Sequence, residues 1–255
     1  MAERNIAAED GPRTMAAEMT QPEALIFDVF GTCVDWRGSI AREGAALGER
    51  LGIAGVDWVA VADAWRAQYQ PQMAPVRRGE RPWVTLDALH RESLDGVLAQ
   101  FGLAEAVPVE ERDAFALAWR RLDPWPDVPP GMQRLRPHYL LAPNSNGNIA
   151  LMVHLARWAD LPWDTVLGAE IAQGYKPQPQ VYLRSVAALD LAPVQVMMVA
   201  AHNGDLHAAA ACGLQTAFVP RPLEHGPGQT SDLAPDGDFT IVAADFADLA
   251  AQLGC

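Results

Sequence analysis

Cysteine is scarce: the chain's 255 residues include three, Cys33, Cys212 and Cys255, far apart and odd in number. None stands in a C-x-x-C or similar spacing, which excludes a cysteine-held metal and a disulfide framework and points to reduced thiols in a cytoplasm. Positive charge is also short, with 19 Lys and Arg against 32 Asp and Glu and a formal net charge of −13. Nucleic-acid binding needs a basic face, so no nucleic acid is expected as a partner. Lysine is nearly absent, Lys176 being the only one in the chain. No stretch approaches the roughly 20 apolar residues of a membrane span, so no membrane partner is expected. Residues 1–20 carry acids and no apolar core, and read as a flexible tail rather than a secretion signal. Internal repeats and low-complexity segments are missing too.

What the chain does have is apolar mass: 50% of its residues are hydrophobic, enough for one good core or a core with a smaller companion. Ala24-Leu25-Ile26-Phe27 stops abruptly at Asp28, then Gly31-Thr32, the pattern of a buried strand opening into a turn. Similar runs lie near residues 139–142, 194–201, 215–219 and 239–242. Helical patterns over 149–159, 179–189 and 205–212 separate them, the last closed by Gly213 as a C-terminal cap. Strands alternating with helices predict an α/β fold, a Rossmann-like parallel sheet whose ligands gather at the carboxyl ends of its strands. Asp28, Ser145 and His202 all fall just past a strand's last apolar residue.

Residues 38–126 break that rhythm with helical stretches at 40–51, 58–69, 85–101 and 110–122 and no convincing strand. They are expected to form a helical cap domain inserted after the first strand, between core segments 21–37 and 127–255. Pro124, Pro126, Pro129 and Pro130 mark the return to the core.

An Asp on a tight loop can attack an electrophile through its carboxylate, or it can simply cap a strand end. Spacing along the chain favours the first. Phe27-Asp28-Val29-Phe30-Gly31-Thr32, Pro143-Asn144-Ser145-Asn146-Gly147, Tyr175-Lys176-Pro177-x-Pro179-x-x-Tyr182 and Val199-Ala200-Ala201-His202-Asn203-Gly204-Asp205 follow one another in order. Together they resemble the four motifs of the haloacid dehalogenase superfamily, over about residues 22 to 250. The resemblance makes Asp28 the nucleophile of a covalent intermediate, with Thr32 holding its carboxylate and Lys176 neutralising it.

Most of that superfamily are magnesium-dependent phosphatases with a second Asp two residues after the nucleophile and a metal-binding Asp in the fourth motif. Here those places hold Phe30 and Ala200-Ala201. The chain resembles instead the type II (S)-2-haloacid dehalogenases, which lack both acids and need no metal or other cofactor. The implied reaction is hydrolysis of the carbon–halogen bond of short 2-haloalkanoic acids to 2-hydroxy acids through an aspartyl ester; turnover of fluoroacetate is expected from a departure in the fourth motif, where Gly204 removes the bulk of a Trp and His202 adds a polar donor for fluoride. In an acidic protein the anionic substrate needs a locally positive pocket. By the same resemblance Arg66, in Trp65-Arg66-x-x-Tyr69, meets halide and substrate carboxylate. Ser145 and Asn146 hold that carboxylate, Tyr182 and Phe30 complete the substrate site, and Asp205 accompanies Lys176 and the hydrolytic water. A homodimer is the assembly it favours.

The fourth motif departs from the familiar Ser-Asn-Ala-Trp-Asp, so the roles of His202 and Asn203 cannot be copied. His202 could serve the halide, the ester-cleaving water or the loop itself. The other five histidines, and the Arg77-Arg78 and Arg81 cluster, read as structural or solvated. Two other readings stand beside the dehalogenase: a magnesium-dependent phosphatase of a small phosphometabolite, and a non-catalytic interaction protein that kept the fold.

Overall fold

Four successive buried residues, Ala24–Phe27, form β1, the strand on which the molecule is organised. The computed structural model describes residues 21–255; the expected tail at 1–20 lies outside the described residues. After β1 the chain makes a two-residue strand, β2 (Val34–Asp35), and enters α1 (Trp36–Leu51), whose first turn is capped by the Asp35 carboxylate. The helices α2 (Trp58–Ala67), α3 (Tyr69–Arg77), α4 (Leu86–Gln100) and α5 (Val109–Ala116) follow, with a 3-10 turn at Leu117–Arg120. The chain returns through β3 (Asp123–Pro124) to α6 (Val128–Leu135), β4 (Leu140–Ser145), α7 (Ile149–Ala159), β5 (Leu167–Gly168), α8 (Ala169–Ala172) and α9 (Pro179–Ala188). It ends with β6 (Val196–Ala200), α10 (Asn203–Ala211), β7 (Gln215–Phe218), β8 (Ile241–Val242) and α11 (Phe246–Gln252).

The large sheet runs β5-β4-β1-β6-β7-β8 with every pair parallel. This is the α/β architecture that the alternating pattern predicted. In register, Phe27 lies opposite Pro143 on one side and Val199 on the other. β1 is therefore central, with β4 and β6 as its neighbours, and the residues just beyond all three emerge at one edge. That edge is where the site forms.

The expectation of no strand between 38 and 126 needs correcting. Asp123–Pro124 pairs antiparallel with Val34–Asp35, because the outgoing and returning chains cross side by side. Pro129 and Pro130 lie in the first turn of α6, where a missing N–H costs no helical hydrogen bond. α3, α6, α8, α11 and the two-residue β2 and β5 went unpredicted; all are short, and their apolar pattern is too brief to show a period.

Candidate active site

The Asp28 N–H still belongs to the sheet, donating to the Val199 carbonyl at 3.0 Å. Beyond it the backbone turns sharply, and Gly31 adopts a φ of +87° that disfavours any residue with a Cβ. A Cβ on Gly31 would also collide with the carboxylate of Glu224, which packs against this turn. Arg221 pins the turn from the same side, its Nε donating to the Thr32 carbonyl at 2.9 Å while its two terminal nitrogens grip Asp127.

Three groups converge on the Asp28 carboxylate. Lys176 Nζ donates to Oδ1 at 3.0 Å, Thr32 Oγ1 donates to Oδ2 at 2.8 Å, and His202 Nδ1 lies 3.0 Å from Oδ2. Thr32 is itself fixed by the Ala201 N–H at 2.9 Å, so the backbone at one of the places where the phosphatases carry acids holds the nucleophile's partner instead. Lys176 also donates to Asp205 Oδ2 at 2.5 Å, and the Tyr182 hydroxyl donates to Asp205 Oδ1 at 2.5 Å. The Lys176 N–H donates to Asn146 Oδ1 at 2.8 Å, and Asn146 Nδ2 passes the contact to the Tyr69 hydroxyl on α3.

His202 faces a second carboxylate: its Nε2 lies 2.8 Å from Glu224 Oε2, while Trp36 Nε1 donates to Glu224 Oε1 at 3.0 Å. Glu224 is 1% exposed, and Asp28 and Lys176 are each 7% exposed. At that depth Coulomb forces are weakly screened and decide the charge states. Burial alone would raise the Asp28 carboxyl, but Lys176 and then His202 hold it well below the usual carboxylate range. Burial would lower the Lys176 ammonium, but Asp205 and Asp28 raise it. Burial likewise disfavours the His202 imidazolium, yet Glu224 and Asp28 push it well above the ordinary imidazole value. The resting site thus holds an anionic Asp28 between two cations.

Across a cavity of about 370 Å³ from this cluster lies Arg66, its guanidinium over the Tyr69 ring at 4.0 Å and the Trp36 ring at 5.3 Å. Its Nη1 is buried without a hydrogen-bond partner, and among the described residues Arg66 has no ion pair within 4.0 Å. A partly buried guanidinium with no ion-pair partner among the described residues is a place prepared for an anion. Phe30 lines the same cavity, its ring edge-on to Tyr69 and Trp119.

The structure gathers Asp28, Phe30, Arg66, Asn146, Lys176, Tyr182, His202 and Asp205 around one cavity, with Thr32 directly behind Asp28. Two expected site residues stand apart. Ser145 is wholly buried and accepts from the Gly147 N–H at 3.1 Å. Asn203 turns away, its side chain bonded to Asp232, the Ala234 carbonyl and the Asp236 N–H, where it clamps the 232–236 loop onto α10.

Glu224 and Arg221 were missed altogether. Both lie in the loop just past β7, so the strand-edge rule that flagged Asp28 was the one available signal. Arg77, read as solvated, donates instead to the Lys176 carbonyl at 3.0 Å, and Gln178 Nε2 donates back to the Arg77 carbonyl at 3.1 Å. Its neighbours Arg78 and Arg81 do pair with exposed glutamates.

A parallel sheet with an acid at the end of its central strand, facing a lysine beneath inserted helices, defines a class of hydrolases. Residues 22–213 match the haloacid dehalogenase-like hydrolase family, and the chain belongs to it. The crystal structure of a defluorinating L-2-haloacid dehalogenase, Rha0230, is 50% identical, with a TM-score of 0.89 over 92% of this chain and 96% of that one. That of the L-2-haloacid dehalogenase PA0810 is 49% identical, with a TM-score of 0.88 over 91% and 99%. (S)-2-haloacid dehalogenase 4A of Burkholderia cepacia is 25% identical over 225 residues, 83% of this chain and 93% of its own.

Proposed function

We propose that this protein is a 2-haloacid dehalogenase, hydrolysing short 2-haloalkanoic acids to 2-hydroxy acids through an ester on Asp28. One observation carries the reading. A buried, anionic Asp28 clamped by Lys176, Thr32 and His202 faces the unpaired guanidinium of Arg66 across a small cavity. A carboxylate kept ionised can attack C2 of the substrate in line, and the carbon–halogen electron pair leaves with the halide. A halide departs as a stable anion and needs charge and donors rather than a proton. Arg66 supplies both, to the halide or to the substrate carboxylate, and Asn146 and Tyr182 border the same space. Water then cleaves the ester at Cγ of Asp28 and releases the hydroxy acid.

The structure changes one detail of the sequence reading. Both ring nitrogens of His202 already face carboxylates, so it is not free to donate to a departing halide. Arg66 takes that part. Residues 38–126 are read as a cap that closes over Asp28 and keeps water out until the ester forms. A cytoplasmic setting and a homodimer belong to the same proposal; light scattering would show the dimer as twice the chain mass. No helix among the described residues is long and apolar enough to cross a membrane.

The test is halide release from a panel of 2-haloacids with a chelator present. Chloroacetate and 2-chloropropionate are expected to release chloride, and fluoroacetate to release fluoride measurably, as befits a chain half identical to a defluorinating relative. No halide from any member, with magnesium-dependent release of phosphate from a phosphate ester, would make the protein a phosphatase. Replacing Arg66 with Met should raise KM and lower kcat/KM by about 2–3 kcal/mol, because the anion then meets a neutral pocket. Unchanged steady-state constants would remove Arg66 from the anion site.

A further inference from the structure

A halide is a single spherical ion, whereas the group that faces Asp28 is a fork. The planar guanidinium of Arg66 directs its N–H bonds in a fixed pattern that suits two oxygens of one oxyanion better than one sphere. Stacking on the Tyr69 ring at 4.0 Å fixes the plane of that fork, and its Nη1 is buried without a hydrogen-bond partner. Asp28 lies across the cavity, so a group displaced in line from C2 departs on the side of Arg66.

There is room on that side for more than a halide. The cavity around Asp28 holds about 370 Å³. Arg66, Tyr69 and Gln70 also border a second cleft, of about 480 Å³, whose other walls include Trp36 and Asp63. The Asp63 carboxylate does not repel an anion there unopposed, because Arg37 grips both its oxygens at 2.7 and 2.8 Å. The guanidinium thus belongs to two adjoining spaces.

A ready proton donor, by contrast, is missing on that side. Among the described residues, the ammonium, imidazolium and phenols that line the cavity are all held elsewhere. Lys176 donates to Asp28 and Asp205, the Tyr182 hydroxyl donates to Asp205, and His202 lies between Asp28 and Glu224. The Tyr69 hydroxyl accepts from Asn146 Nδ2, and burial raises it above the ordinary phenol value. An alkoxide, which leaves only with a proton, is therefore a poor leaving group in this site. The anion of a strong acid needs no proton. Halides are one such family; sulfonates are another, and they present oxygens to a fork.

Building on the dehalogenase reading, we propose a second activity at the same site: cleavage of the C2–oxygen bond of 2-sulfonyloxy carboxylic acids, the sulfonate leaving onto the Arg66 fork. Asp28 attacks C2 and forms the ester, the C2–oxygen bond breaks, and its electron pair leaves with the sulfonate. Water then cleaves the ester at Cγ without touching C2. The products are one sulfonate, one 2-hydroxy acid inverted at C2 and one proton, and the balance needs no further reactant.

The experiment offers each enantiomer of 2-(methanesulfonyloxy)propionate and of 2-chloropropionate to the protein in heavy-oxygen water. Methanesulfonate release is expected with a kcat/KM within about tenfold of that for chloride release, because both groups leave as anions of strong acids. The lactate should be inverted at C2, and the methanesulfonate should carry no label. Arg66→Lys keeps the charge and loses the fork, so it should slow methanesulfonate release on the order of tenfold more than chloride release. Equal losses would overturn the assignment of the sulfonate to the fork. Chloride without methanesulfonate, or labelled methanesulfonate with C2 retained, overturns the inference and leaves the dehalogenase reading standing. Release of neither overturns both.

Discussion

Asparagine in place of Asp28 is expected to abolish halide release while leaving substrate binding intact or tighter. The carboxylate is the nucleophile of the proposed reaction, and an amide cannot attack at a comparable rate. Binding should survive because the cavity's charges nearly cancel. Asp28, Asp205, Asp232 and Glu224 stand against Lys176, Arg66 and His202, and removing Asp28 brings the two sides level, which eases the approach of an anionic substrate. Calorimetry with 2-chloropropionate on the Asp28→Asn protein would measure this. In the parent, one turnover in heavy-oxygen water should place the label on Asp28 and deliver unlabelled oxygen to the product. Label in the product on that first turnover would mean direct attack by water and would overturn the covalent route.

Lys176→Met is expected to be the most damaging substitution after those at Asp28. The ammonium touches both Asp28 and Asp205, so its loss leaves two buried carboxylates facing each other with no cation between them. The cost should be about 3–4 kcal/mol in kcat/KM, on the order of a few hundredfold to a thousandfold. The pH profile should change as well. Asp28 is held below the ordinary carboxylate range, so in the parent it stays ionised far into acid, and the stability this confers is lost only as pH falls through that depressed value. In Lys176→Met the carboxyl rises, with only His202 and Thr32 still holding it down. The acid limb of kcat/KM should then move upward, and stability should begin to fall at a higher pH. A variant with the parental acid limb would show that His202 alone sets the Asp28 charge.

Much of this site could be read from the chain because its residues obey one rule. Asp28, Asn146 and His202 each lie within two residues of the end of a parallel strand, and a buried apolar run ending at a polar residue is visible in sequence. Lys176 stood out as the only lysine, and its place after β5 followed from the motif order although β5 itself is too short to see. Strongly patterned elements such as the eleven-residue α7 and the wholly apolar β1 were placed closely. Glu224 and Arg221 escaped because their meaning is tertiary. An acid in a proline-rich loop looks solvated until the fold brings it against Gly31, Trp36 and His202. Ser145 and Asn203 show the converse, since motif position places a residue near the site without fixing where its side chain bonds. Their partners lie in the backbone of their own turn and in the 232–236 loop, and neither could be seen in sequence.

The reciprocal bonds between Arg77 and the Lys176–Gln178 segment give the inserted helices a grip on the cluster's only ammonium. Arg77 ends α3, the same helix whose first residue, Tyr69, takes a hydrogen bond from Asn146. α3 is thereby tethered at both ends to the loops that present Lys176 and Asn146. Were these helices to swing away to admit a substrate, they would pull on the backbone that aims Lys176 at Asp28. Opening and arming would then be mutually exclusive, and full nucleophilic readiness would return only when the helices settle back over the sheet.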